Sequence, residues 1–203
     1  MELHEALTQI GDIRRQMSRT REFRGYGALT TFGTGVAAVA AAGWQARYLP
    51  DPAAGPEAFV NLWVGVAMAC VAFVGLELAV RYRRSESSLQ RELTILAVEQ
   101  FLPSLVIGGL VTLVVCEFAR PSMWMLPGLW QVFFGSGMFA SRRLLPGPIV
   151  FVGIFYVASG LVNLTTGQLG WAFSPWGMGL PFAVGQAATA VIFWRRGAAD
   201  DAE

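Results

Sequence analysis

The residues of this chain that could do chemistry are few, and their types exclude several reactions. All 15 basic residues are arginines, so the chain has no lysine that could form a Schiff base with a carbonyl group. The one histidine, His4, lies near the first residue and outside every long apolar segment. Those segments therefore lack the imidazole that a histidine-ligated zinc or haem, or a serine–histidine pair, would need. We expect no metal site and no cofactor, and we assign no catalytic residue.

Glu77 is the most deeply placed ionisable residue of the apolar segments, and Arg81 follows it four residues later. This spacing brings both side chains to one face of a helix, at ion-pair distance. Ionisable groups inside a bilayer are costly and are candidates for function. Two interpretations stay open: an interfacial ion pair, or a proton, cation or polar-ligand site at Glu77. Glu117 and Arg120 are spaced for a similar pair.

Four uncharged amide side chains also fall inside apolar segments: Asn61, Gln131, Asn163 and Gln186. Pro127 precedes Gln131, and Pro181 precedes Gln186. A proline inside a helix frees the carbonyl four residues earlier, which in lipid must find another donor or line a cavity. We therefore expect the four amides and Glu77 to bind a small ligand, the amides in a polar cavity. Alternatively, the amides join helices by hydrogen bonds and the prolines occupy first helical turns.

The composition shows which elements must position these residues. Hydrophobic residues make up 54% of the chain and charged residues 14%, against about 25% charged in a soluble domain. A membrane-spanning helix needs about 20 mostly apolar residues. Six windows qualify: 26–48, 57–82, 101–119, 122–140, 148–165 and 177–194. The sequence predicts an all-α integral membrane protein, a bundle of six transmembrane helices with an N-terminal amphipathic helix.

The arginines predict the orientation of these spans. With six spans, 13 arginines fall on one side of the membrane and only Arg47 and Arg120 on the other. Arginine-rich loops stay on the cytoplasmic side. We therefore expect both termini in the cytoplasm, and the Ala-, Gly- and Arg-rich usage suggests the inner membrane of a bacterium.

The chain divides into three regions on this interpretation: residues 1–25, 26–194 and 195–203. The first is a cytoplasmic amphipathic helix, because apolar residues from Leu3 to Met17 recur at three- and four-residue steps. It either rests on the membrane or docks a partner protein or a second copy. The second region is the transmembrane domain, and the third is a short cytoplasmic tail. The stretch from 85 to 100 leads into the third span or lies on the inner leaflet.

The predicted function is that of a small, non-catalytic, multi-pass membrane protein that binds a partner protein or a lipid-like or small ligand. Partner binding or self-association would use residues 1–24 or the small residues Gly27, Thr31 and Gly35 of the first span. The alternative is a small transporter or channel with Glu77 as its coupling group. A net charge of +1 gives no reason to expect nucleic acid.

Ala53, between the first two windows, tests the predicted orientation. With Cys70 and Cys116 changed to alanine, Ala53→Cys should react with a membrane-impermeant maleimide added to intact cells. Ser88→Cys should react only after the membrane is opened. Labelling of Ala53→Cys from the cytosolic side alone would contradict the orientation.

Overall fold

The computed structural model describes residues 27–49, 55–85 and 88–200, and within these ranges the chain forms helices and turns without a strand. Six helices contain 15 residues or more: α1 Ala28–Tyr48, α2 Pro56–Arg84, α3 Ser88–Phe118, α4 Leu126–Ala140, α5 Ile149–Thr166 and α6 Pro175–Asp200. The expected amphipathic helix of residues 1–25 lies outside the described residues. The expected approach to the third span is part of α3.

Local sequence explains several of the helix boundaries. Proline opens α2 and lies in the first turn of α4, positions where its missing N–H costs nothing. Tight 3₁₀ turns flank α4, over Arg120–Met125 and Ser141–Arg143. A π-type turn, Gly167–Trp171, follows α5, and Gly170 within it has φ +89°, which glycine adopts without strain.

Four of the described helical segments are long and apolar enough to cross a membrane. They are Pro56–Arg84, Arg91–Phe118, Ile149–Trp171 and Pro175–Arg196. α1 and α4 match the first and fourth predicted windows but do not reach that combination of length and apolarity. The structure therefore supports a multi-pass membrane protein through four helices.

The six helices form a closed ring. Each helix contacts the next one along the chain, and α1 also contacts α6. The closest pairs are α1 with α6 and α4 with α5, whereas α2 and α3 touch each other least. The ring is thus tight on one side and loose on the other.

Glycines bring α4 and α5 together. A Cβ atom on Gly160 would lie 2.6 Å from the carbonyl oxygen of Gly128, and one on Gly135 would lie 2.8 Å from the carbonyl oxygen of Gly153. These distances leave no room for any side chain, so the two backbones are in direct contact. Such contact between small residues is a main source of helix association in membranes.

The contact between α1 and α6 uses the small residues of the first predicted span. A Cβ atom on Gly35 would lie 3.4 Å from the carbonyl oxygen of Ala183, and a Cβ on Gly179 would meet Ala42 at 2.5 Å. Thr31 and Gly35 are buried on this face. The small-residue surface of α1 is therefore used inside the bundle.

The two ends of the ring differ in charge. At one end Leu78 of α2, Leu93 and Ala97 of α3 and Leu144 after α4 form one cluster. Eight described arginines belong to the segments that meet at this arginine-rich end: Arg81, Arg83, Arg84, Arg91, Arg142, Arg143, Arg195 and Arg196. Two belong to the opposite end, Arg47 and Arg120. The described helices thus keep the segregation of charge that the sequence predicts.

Gly160→Leu should weaken the α4–α5 contact, because its side chain would displace the backbone of Gly128. We expect a loss of about 1–3 kcal/mol or more in the free energy of unfolding, measured in mild detergent. Gly109→Leu is the matched control, since nothing lies within 4 Å of a Cβ at Gly109. Equal melting temperatures for the two variants would show that the glycine contact does not hold the helices.

Candidate functional site

The carbonyl oxygen of Gly177 joins three helices. Pro181 lies inside α6 and has no N–H to donate to this carbonyl. The side chain of Gln131 on α4 donates to it at 2.8 Å, and that of Asn163 on α5 donates at 2.9 Å. Both donors are buried. We call this arrangement the Gly177 junction, because it replaces the helix bond that Pro181 removes.

Gln131 has hydrogen-bonding capacity left over. Its amide nitrogen also lies 3.5 Å from the sulfur of Met178, while its Oε1 atom is buried without a hydrogen-bond partner. A buried acceptor without a donor costs about 1–3 kcal/mol. The side chain is thus held by its nitrogen, and its oxygen is available to a donor.

Gln45 forms a second polar junction, which the sequence analysis did not single out. This fully buried side chain accepts a hydrogen bond from Trp63 Nε1 of α2 at 2.8 Å and donates to the carbonyl of Phe173 at 2.9 Å. The signal was present in the sequence, because Gln45 continues the buried stripe of Thr31, Gly35, Ala38 and Ala42 at alternating steps of four and three.

Pro127 has a different role from Pro181. It lies in the first turn of α4, and the carbonyl that it would free, that of Met123, accepts a bond from the N–H of Leu126. Pro127 therefore occupies a first helical turn, as the alternative interpretation of the two prolines describes. Of the two prolines, only Pro181 needs side-chain donors.

The remaining predicted amides do not join the Gly177 junction. Asn61 is exposed on α2, and Gln186 is half-buried on α6 beside Gly35 of α1. Gln131 and Asn163 make the interhelical hydrogen bonds that the alternative interpretation describes. Ligand binding by Asn61, Gln131, Asn163, Gln186 and Glu77 stays a prediction.

Glu77 takes part in an ion pair at the arginine-rich end. Its Oε1 atom lies 2.7 Å from Nη2 and 3.0 Å from Nε of Arg81, and both groups lie against Gly27 at the start of α1. The interfacial pair of the sequence analysis is therefore present. The second expected pair, Glu117 with Arg120, is not formed. Nη1 of Arg120 instead lies 3.1 Å from Oε1 of Glu57 on α2. This bridge joins the ends of α3 and α2.

The middle of α2 is loosely packed on its inward face. Trp63 and Leu78 are buried at the two ends of this face. Val66 and Val74 are half-buried and pack against the clusters around Trp63 and Leu78, and Cys70 between them is half-buried and belongs to neither cluster. Leu105 of α3 is likewise half-buried, and the buried residues on either side of it along α3 are Ala97 and Gly108. We call the half-buried surface formed by Val66, Cys70, Val74 and Leu105 the α2–α3 crevice.

The opposite sides of α2 and α3 face outward. Of the most apolar window of α3, 6% of the residues are buried, against 33% for α5. A Cβ atom on Gly33 of α1 would find only the ring of Phe73 within 4 Å, at 3.9 Å. The four residues of the crevice have apolar or weakly polar side chains and lie near the middle of α2 and α3.

The fold and these sites define a class of protein, a multi-pass α-helical membrane protein. Within the described residues no group of three or more histidine, cysteine, aspartate or glutamate side chains could hold a metal ion. Comparisons with protein-family models, with curated proteins and with solved structures found no match to this chain. Any assignment of function must therefore rest on the geometry of the described residues.

The Gly177 junction predicts a specific rescue. Replacing both Gln131 and Asn163 by leucine should leave the Gly177 carbonyl unpaired and lower the free energy of unfolding by about 2–4 kcal/mol. Adding Pro181→Ala restores an N–H four residues after Gly177, and we expect it to recover most of that loss in thermal unfolding.

The control for this rescue is Pro103→Ala, which restores an N–H in α3 far along the chain from Gly177. It should not recover the stability of the double variant. A rescue by both alanine substitutions, or by neither, would refute the role assigned to Pro181.

Proposed function

We propose that the chain spans a bacterial inner membrane six times, with both termini and the amphipathic segment 1–25 in the cytoplasm. The length of α1, 21 residues, corresponds to about 31 Å, close to the thickness of the hydrocarbon core. α4 has 15 residues, about 22 Å, and its flanking 3₁₀ turns of six and three residues lengthen it by up to about 18 Å. Both helices are therefore long enough to cross.

The segregation of arginines supports this orientation. The described loops and helix ends that would face the cytoplasm carry eight arginines, and those that would face outward carry two. Arginine-rich loops are retained on the cytoplasmic side. Exposed Trp171 and Trp176 near the opposite end are suited to the other membrane interface.

We infer that the protein binds a lipid-like ligand and performs no catalysis of its own. The observation that carries this proposal is the loose middle of α2 between two packed ends. A well-packed helix buries its inward face over its whole length, whereas Val66, Cys70 and Val74 stay half-buried. An acyl chain is the occupant that matches an apolar space open to the bilayer.

The charges at the arginine-rich end favour an anionic lipid. Arg83 and Arg84 of α2 are exposed at this end, and Arg91, also exposed, donates to the Ser85 carbonyl at 2.6 Å. Arginines at the cytoplasmic leaflet attract anionic headgroups. An acyl chain in the crevice would place its headgroup at this arginine-rich end of the bundle.

The other functions suggested by the sequence stay predictions. A protein partner held by residues 1–24 concerns a segment outside the described residues. Transport coupled to Glu77 would require that carboxylate to leave the pair with Arg81. No contact of the described residues favours either function over lipid binding.

Filling the crevice should displace its occupant. The protein purified in mild detergent should retain phospholipid when analysed by native mass spectrometry. Cys70→Trp should lower the retained lipid by more than about tenfold, because an overfilled apolar site costs about 1–3 kcal/mol.

Met68→Trp is the matched control, because Met68 is 65% exposed on the outward side of the same helix. It should retain lipid like the unchanged protein. Lipid retained equally by Cys70→Trp and Met68→Trp would contradict the crevice as the binding site, and an adduct with the mass of a polypeptide would favour a protein partner instead. Thermal unfolding of both variants separates loss of binding from loss of folding.

A further inference from the structure

Two buried polar atoms without partners lie at the arginine-rich end. The hydroxyl of Ser141, a residue 3% exposed directly after α4, has no hydrogen-bond partner, and neither does the buried Oε1 atom of Gln100 on α3. Each unpaired group in such a place costs about 1–3 kcal/mol. A ligand that pairs with such groups would remove this cost.

The packing of α3 against α4 brings the two groups to the same level. A Cβ atom on Gly137 of α4 would lie 2.8 Å from the ring of Phe101 and 3.2 Å from Cβ of Ser104 on α3. The two helices run in opposite directions, so one turn beyond Gly137 places Ser141 opposite the turn of α3 that contains Gln100. Both groups therefore belong to one interface.

This interface continues into the arginine-rich end. Leu144, three residues after Ser141, packs with Leu78 of α2 and with Leu93 and Ala97 of α3. Ala97 precedes Gln100 by one turn on the inward face of α3. The two unpaired groups thus lie about one helical turn from this cluster, on its side toward the middle of the bundle.

Arg142 and Arg143 supply positive charge at the same place. Both follow Ser141 directly, both are exposed, and neither forms an ion pair with another described residue. The described acidic residues at this end, Glu77, Glu92, Glu99 and Asp200, are fewer than its eight arginines, and Glu77 already pairs with Arg81. The excess of positive over negative charge at this end favours the binding of an anion.

We propose that Ser141, Gln100, Arg142 and Arg143 form the headgroup subsite of the bound lipid, and that this lipid is an anionic phospholipid with a hydroxyl group on its headgroup. The subsite rests on the lipid-binding function proposed above. The arginines and the Ser141 hydroxyl donate to the phosphate oxygens. Gln100 Oε1 only accepts, so it needs a donor that a bare phosphate diester lacks and a headgroup hydroxyl provides.

The test compares three lipids with identical acyl chains on the purified full chain, by native mass spectrometry. Phosphatidylglycerol carries both the negative charge and the hydroxyl groups, phosphatidylmethanol is a phosphate diester that carries the charge without a hydroxyl, and phosphatidylethanolamine carries no net charge. We expect phosphatidylglycerol to bind more tightly than either of the others by at least about fivefold. Equal binding of all three would overturn the subsite but leave the crevice proposal in place.

Variants test which residues contact the hydroxyl of the headgroup and which contact its phosphate. Gln100→Leu should remove the preference for phosphatidylglycerol over phosphatidylmethanol. Arg142→Gln with Arg143→Gln should weaken both anionic lipids by about tenfold. Arg195→Gln with Arg196→Gln, at the same end but on α6, is the charge-matched control and should weaken them by less than about threefold. An undiminished preference in Gln100→Leu would overturn the role of Gln100.

Two further measurements distinguish a lipid headgroup at this subsite from a structural hydrogen bond and from a free phosphate ester. Ser141→Ala should not lower the melting temperature of lipid-free protein, because it removes a buried unpaired hydroxyl. A lower melting temperature would show a structural hydrogen bond and overturn the assignment of Ser141. Displacement of phosphatidylglycerol by an equal concentration of glycerol 1-phosphate would overturn a lipid as the source of the headgroup. Failure of all three lipids to bind would overturn both the subsite and the lipid-binding function.

Discussion

A backbone carbonyl in hydrocarbon must find a donor within the protein, and this requirement governs the packed side of the bundle. Pro181 deprives the Gly177 carbonyl of its helical partner, so α4 and α5 must supply one through Gln131 and Asn163. The two side chains can reach the same oxygen only if α4 and α5 lie close together against α6. The glycine contact between Gly128 and Gly160 provides that closeness. Proline, amides and glycines therefore form one arrangement in which each part requires the others.

The volume of the side chains explains why the ring of helices is loosely packed beside α2 and α3. A ring of six helices encloses more space than backbone contacts can fill, so large side chains must occupy its centre. On the side of α4, α5 and α6 the rings of Phe134, Tyr156 and Phe182 do so, with centroids 4.8–5.4 Å apart. At the corresponding depth α2 offers Cys70, a small side chain. The crevice beside α2 follows from this difference in side-chain volume.

The sequence predicts the positions of the helices well, because apolar length and proline or arginine boundaries act locally. It also predicts that a freed carbonyl at Gly177 must find a donor. It does not show which amides supply the bond, because Asn61 and Asn163 look alike in the sequence and only the packing places Asn61 outside and Asn163 inside. For the same reason Gln100 and Ser141 give no sequence signal. Their significance depends on the register of α3 against α4, which the Gly137 contact determines.

Unpaired polar atoms in this bundle differ in what can reach them. The hydroxyl of Tyr156 is unpaired and fully buried, but the aromatic rings of Phe134 and Phe182 and the backbone of Gly185 enclose it. The rings and the backbone around this hydroxyl carry no charge, so an ion entering there would lose its hydration without compensation. Ser141 is followed directly by two exposed arginines at the end of the bundle. In the proposed orientation, an anionic group would approach this end along the membrane surface and exchange water for guanidinium groups, and for this reason we place the proposed subsite here rather than at Tyr156.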